Sequence, residues 1–155
     1  MKTDNSNMLK KGFLRIWIIW GAMFASLLMY VVICHILQPT WTPLINEQFP
    51  IKTFKNGLFI AAIVAFFLSN YIRKFILKSE SQLARFREIA ARTNIDPVIF
   101  KYQTAVIISL AISESIGIFG LIIFFLSKDI NTFYIFIAIS AASMIYNIPR
   151  ANEIE

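Results

Sequence analysis

Ser113, Glu114 and Ser115 stand together inside "SLAISESIGIFG", a stretch otherwise made of apolar or small residues. Glu114 lies near the centre of an apolar run from about Thr104 to Leu126, and it is the only acidic residue well inside any such run. At mid-bilayer depth an ionised acid costs about 2.5–3.5 kcal/mol on insertion scales. Burial alone favours the protonated form. The chemistry open to this group is therefore narrow. Either a protonated Glu114 hydrogen-bonds across helices and locks them, or it binds and releases H⁺ or Na⁺ with the hydroxyls of Ser113 and Ser115 beside it. No basic residue is found at that depth: Arg15 and Arg73 fall at one edge of the apolar runs and His35 at the other.

Other residues offer less. Cys34 is the single cysteine, so no internal disulfide can form, and it reads as a small apolar filler. His35 ends an apolar run and reads as an interfacial or packed histidine. Trp17, Trp20, Tyr30, Tyr71 and Tyr146 lie near the ends of apolar runs, as aromatic-belt residues do. There is no Gly-rich phosphate loop, HExxH, paired His/Cys set or Ser-His-Asp set in the sequence. The expectation is a protein without catalysis, metal or cofactor, H⁺ or Na⁺ at Glu114 aside.

The elements that would position Glu114 follow from composition. The chain has 155 residues, 57% hydrophobic and 15% charged, with a mean hydropathy of +0.65. A soluble domain is about 25% charged, so the balance points to an integral membrane protein. Four apolar spans are expected, over about 16–37, 57–77, 104–126 and 133–148, in a single domain covering 1–155. About 20 helical residues cross the hydrocarbon core. The fourth span is short and must stand upright or lean on its neighbours. The first has a basic flank in Lys10, Lys11 and Arg15, but its apolar run is too long for a signal peptide and reads as a retained helix.

Charge sets the orientation. Lys2, Lys10, Lys11, Arg15, Arg73, Lys74, Lys78, Arg85, Arg87, Arg92, Lys101 and Arg150 fall on one side, against Lys52, Lys55 and Lys128 on the other. The positive-inside rule then places both termini and the middle loop in the cytoplasm, and the expected location is a bacterial cytoplasmic membrane. The net charge of +6 is explained by anionic lipid and calls for no nucleic acid.

The loops carry their own signals. "QPTWTPLINEQFPIKTFKN" is expected as an irregular cap with Trp41 among headgroups. "SKDIN" is a tight turn in which Asn131 or Thr132 would cap span four. In the middle loop, "SESQLARFREIAART" has Ser79 and Gln82 at capping-box spacing, followed by Leu83, Phe86 and Ala90 at helical spacing. A short amphipathic cytoplasmic helix is expected there, presenting Arg85, Arg87 and Arg92. Asp96-Pro97 then reads as the N-cap and first residue of helix three, which starts before it enters lipid.

Small residues recur at helical spacing. Ser109, Ser113, Gly117 and Gly120 form a stripe on span three, and Ala61, Ala65 and Ser69 one on span two. Span one offers Gly21 and Ala25, then Ala22 and Ser26; span four offers Ala138 and Ala142. Such stripes let helices touch backbone to backbone. They predict a tight four-helix bundle, with packing between copies as the further option.

"ESIGIFGLIIFFL", from Glu114 to Leu126, resembles the outer helix of the ring subunit c of rotary ATP synthases, and "AART…DP…K.QT…IISLAISES" is loosely similar to that subunit's cytoplasmic loop and second helix. The resemblance covers roughly 35 residues. It implies that Glu114 is an ion-binding carboxylate, that Ser115 matches the hydroxyl of sodium-type versions, and that Arg92 matches a loop arginine facing the rotor stalk. Span two lacks that family's glycine ladder and its glutamine, and two further spans flank the hairpin.

Two functions are therefore expected. The first is a small non-catalytic membrane protein that self-associates or serves as a subunit of a larger membrane complex, in contact with lipid. The second is a c-like H⁺- or Na⁺-binding proteolipid that uses Glu114.

Overall fold

A computed structural model of the chain describes residues 2–44, 49–79 and 96–150, with side chains from residue 11 onward. The described residues form four α-helices and no strand: α1 (Lys2–Leu37), α2 (Ile51–Lys78), α3 (Pro97–Ser127) and α4 (Ile130–Tyr146). The first three are long and apolar enough to cross a membrane, whereas α4 has 17 residues, a length of about 26 Å. The expected amphipathic helix, with Arg85, Arg87 and Arg92, lies outside the described residues.

The helices begin and end for local reasons. Asp96 caps α3 through a bond from Val98 N to its carboxylate at 2.8 Å, and Pro97 follows at the first helical position, as the sequence predicts. At the far end Lys128 takes a left-handed conformation (φ 56°), and its N–H donates to Phe124 O at 2.7 Å. That single residue turns the chain, so α4 starts three positions earlier than expected. Its cap is Asp129, which accepts from the N–H of Thr132 at 3.0 Å and from the Thr132 hydroxyl at 2.6 Å. Asn131 and Thr132 had the right chemistry, but the cap falls two to three residues earlier, at Asp129.

Helix α3 is the hub. It packs against α1, α2 and α4, while α4 also touches α1 and α2. Its fully buried side chains include Tyr102, Val106, Leu110, Ile116, Ile123 and Phe124. Gly120 sets the α3–α4 distance, since a Cβ there would lie 2.9 Å from Phe136 Cβ and 3.2 Å from the backbone oxygen of Phe133. Gly117 faces both neighbours, with Leu27 Cδ2 of α1 at 2.8 Å and Ser140 Oγ of α4 at 3.5 Å from such a Cβ.

The small-residue stripes fare unevenly. Ser109, Ser113, Gly117 and Gly120 are all buried in the α3 seam, and Ala65 and Ser69 are buried on α2. Ala61 is only half-buried, and Ala62 takes its place in the core. On α1, Ala22 and Ala25 are exposed, and nothing lies within 4 Å of a Cβ built on Gly21. On α4, Ala138 and Ala142 face outward, while Ser140, Ser143 and Met144 turn in. A small residue marks a close approach only where a partner helix lies against it, and four-residue spacing does not say which face that is.

Two tryptophans act as bolts. Trp20 Nε1 donates to Met144 O at 3.0 Å and ties α1 to α4. Trp41 Nε1 donates to Phe125 O at 3.1 Å, with its ring edge-on to Phe125 at 5.1 Å, so the residues just after α1 reach the end of α3. Both were expected among headgroups. Their indole N–H groups satisfy backbone carbonyls of the bundle.

Candidate functional site at Glu114

Glu114 projects from α3 toward α1. Its Oε1 accepts from Ser26 Oγ at 2.5 Å and from Tyr30 OH at 3.0 Å. Ser26 and Tyr30 are four residues apart, so one face of α1 presents both hydroxyls. Ser26 Oγ also lies 2.6 Å from Met23 O, one turn earlier on the same helix. Four oxygens thus gather on a half-buried site: a carboxylate, two hydroxyls and a carbonyl.

A hydroxyl has one hydrogen to give. With Glu114 ionised, Ser26 and Tyr30 both donate to Oε1, and the 2.5 Å contact falls in the charge-assisted range. With a proton on Glu114, the carboxyl donates to Ser26 Oγ and Ser26 turns its hydrogen to Met23 O. Rotation of one hydroxyl accommodates either state.

Ser113 and Ser115, the expected helpers, do not belong to this set. Ser115 Oγ donates to Ile112 O at 2.7 Å along its own helix. Ser113 Oγ donates to Ser109 O at 2.9 Å and lies 2.7 Å from Ser143 Oγ on α4. Consecutive helical residues point about 100° apart, so neighbours of Glu114 in sequence are not its neighbours in space. The signal for Ser26 and Tyr30 was their spacing of four on an apolar helix; it was legible only once α1 was known to lie against this side of α3.

A second polar group lies where α3 meets α4 and α2. Ser140 Oγ donates to Ser113 O at 2.7 Å, Ser69 Oγ is 3.3 Å from Ser143 Oγ, and Asn147 Nδ2 donates to Ser143 O at 2.9 Å and to Ser69 Oγ at 3.4 Å. The seam ends at Arg73, only 6% exposed, whose Nη1 donates to Asn147 O at 2.6 Å and whose Nη2 reaches Tyr102 OH and Ile148 O at 3.4 Å. Tyr102 OH in turn donates to Arg150 O at 3.0 Å and accepts from Arg150 N at 2.8 Å, so the chain after α4 is held against α2 and α3. Lys101 is also buried, and its ammonium donates to Leu77 O at 2.8 Å and Ser79 O at 3.1 Å, closing the carbonyl end of α2. The sequence placed Arg73 and Lys101 only among the charges of the cytoplasmic side, and both roles were missed.

At the other end, Lys55 pairs with Asp129. Burial alone would raise the Asp129 carboxyl, but the bonds from Lys55 and Thr132 outweigh it and lower it to about 2. Among the described residues, no three of His, Cys, Asp and Glu gather as metal ligands.

The fold and this site define an all-helical bundle, three of its helices long and apolar enough for a membrane, with one carboxylate bridging two of them. No protein family, curated protein or solved structure matches the chain.

Proposed function

We propose that this chain is a small, non-catalytic integral membrane protein that works as a homo-oligomer or as a subunit of a larger membrane complex. Both termini and the α2–α3 loop are cytoplasmic in this reading, and α4 crosses by leaning on α3. The observation that carries it is the inverted distribution of polarity. Ser69, Ser109, Ser113, Ser140 and Ser143 are fully buried, while Leu28 (58%), Ile60 (64%) and Phe67 (67%) stand exposed. Water would reject that surface, whereas lipid accepts it and drives serines and asparagines inward. Glu114 serves here as a clamp that holds α1 to α3.

The test has two arms. Membranes bearing the full chain are washed in alkaline carbonate, and the protein is then weighed in mild detergent by native mass spectrometry. Retention through the wash and a mass above one chain are expected. Release by carbonate sinks the membrane reading, and a lone 17.8 kDa species sinks the assembly reading.

A second reading, a c-like H⁺- or Na⁺-binding proteolipid, is favoured by the four oxygens around Glu114 and the resemblance of its flanking residues. It predicts that a carbodiimide modifies Glu114 and that Na⁺ or high pH slows the reaction. Labelling that ignores both would leave Glu114 a clamp.

A further inference from the structure

The ends of α2 and α4 enclose a pocket of about 100 Å³ lined by Asn70, Arg73 and Lys74 from α2 and by Tyr146, Asn147 and Arg150 from the α4 end. Space on this scale holds several waters or one tetrahedral oxyanion. Its charge has one sign. Arg73, Lys74 and Arg150 all line it, and among the described residues no carboxylate does. Neither Glu114 nor its hydroxyl partners belong to it.

The three cations have different standing. Arg73 is buried and fixed by its bonds to Asn147 O, Ile148 O and Tyr102 OH. It supplies a stationary positive charge at the inner wall. Lys74 and Arg150 are exposed at the mouth. The Tyr102 hydroxyl grips the backbone of Arg150 on both its N–H and C=O, so this residue is held at the rim of the pocket it lines. Tyr146, 56% exposed, adds a hydroxyl and an apolar ring beside the opening.

We infer that this pocket binds a phosphate group, and that the phosphate is the headgroup of an anionic membrane lipid. Arg150 and Lys74 at the mouth suit phosphate oxygens, which accept several charge-assisted bonds at once, and Arg73, its Nη1 and Nη2 held by the protein, adds a fixed positive charge behind them. The lipid source rests on the membrane reading proposed above. That reading puts the pocket at the cytoplasmic leaflet, where anionic lipids are concentrated and basic pockets between helices hold their headgroups. The exposed rings of Tyr71 and Phe75, stacked at 6.2 Å on the adjoining turns of α2, would then flank acyl chains at the interface.

The test uses the full chain purified in detergent. Native mass spectra are recorded with phosphatidylglycerol or phosphatidylcholine, for the wild type, the Lys74→Gln/Arg150→Gln double variant and Lys78→Gln, an exposed cation one turn on that does not line the pocket. The wild type and Lys78→Gln should retain phosphatidylglycerol in preference to phosphatidylcholine. The double variant should hold it about tenfold more weakly, the scale of losing charge-assisted contacts. Equal retention by the double variant, or an equal loss in Lys78→Gln, overturns the site. A second arm adds millimolar inorganic phosphate to delipidated protein and follows the melting temperature. Stabilisation by phosphate that the double variant loses, with no preference for phosphatidylglycerol, keeps the pocket but overturns the lipid source. No response in either arm overturns both. The phosphate arm is independent of carbonate extraction, so a failed membrane reading and a failed pocket are told apart.

Discussion

Ser113 Oγ on α3 and Ser143 Oγ on α4 lie 2.7 Å apart, and neither residue has any exposed surface. This contact is the centre of a hydroxyl seam that also takes in Ser69 and Asn147. A buried hydroxyl left without its partner costs more than the bond itself contributes. Such seams therefore specify which faces of α2, α3 and α4 meet. In membrane proteins, single side-chain bonds of this kind average about 0.6 kcal/mol. Ser143→Ala should cost about 1 kcal/mol of unfolding stability, and the double variant Ser113→Ala/Ser143→Ala less than the sum of the singles. A mild-denaturant titration in detergent micelles reads both, and strict additivity would mean that the two hydroxyls do not interact.

Glu114 should behave as a hydrogen-bond acceptor before anything else. Glu114→Gln keeps an oxygen for Ser26 and Tyr30, so α1 should stay docked and the melting temperature move little. Glu114→Leu strands the Tyr30 hydroxyl, leaves Ser26 only Met23 O as acceptor, and should cost about 1–3 kcal/mol. Crosslinking between cysteines placed on α1 and α3 reports the docking. If Gln undocks α1 as thoroughly as Leu, charge rather than geometry holds the helix.

Gly120→Ala should cost about 1–3 kcal/mol, because the new methyl meets the Phe133 carbonyl oxygen and Phe136 Cβ, and backbone cannot step aside. Gly21→Ala provides the contrast. Nothing lies within 4 Å of its added carbon, so the change should be neutral or add about 0.5–1 kcal/mol through helix propensity. Thermal melts of the pair decide this, and equal effects would contradict the α3–α4 packing described above.

Acid should loosen the Lys55–Asp129 pair. Its carboxyl lies at about 2 in the folded chain against 3.8 as the ordinary value. A lowered folded value stabilises above the unfolded value and loses that stabilisation as pH falls through the folded one. Asp129→Asn keeps a good N-cap for α4 but removes the charge. The wild type should exceed it by up to about 1 kcal/mol from neutrality to about pH 4, with the gap closing toward pH 2. A gap that does not change with pH would show that the ion pair adds nothing.

Much of the architecture was written locally. Asp96-Pro97 marked the start of α3 because a carboxylate cap and a proline without an N–H suit that position by themselves. The apolar runs gave four helices, since length and hydropathy are properties of one segment. Their ends were less legible. The Lys128–Asp129 turn depends on a single left-handed residue, and a lysine gives no sign in the sequence of that conformation.

The sequence by itself determined the helical elements, the lone acid near the middle of α3 and the small residues along its seam, because each depends on residues a few positions apart. The tertiary structure alone decided which groups those residues meet. Glu114 meets Ser26 and Tyr30 because α1 docks on that face of α3, and Ser113 turns to Ser143 because the helix rotates its neighbours away. Arg73 and Lys101, legible only as charges of one side, became buried braces for the same reason. Their long side chains reach carbonyls at the ends of other helices, and no spacing within one helix records that distance.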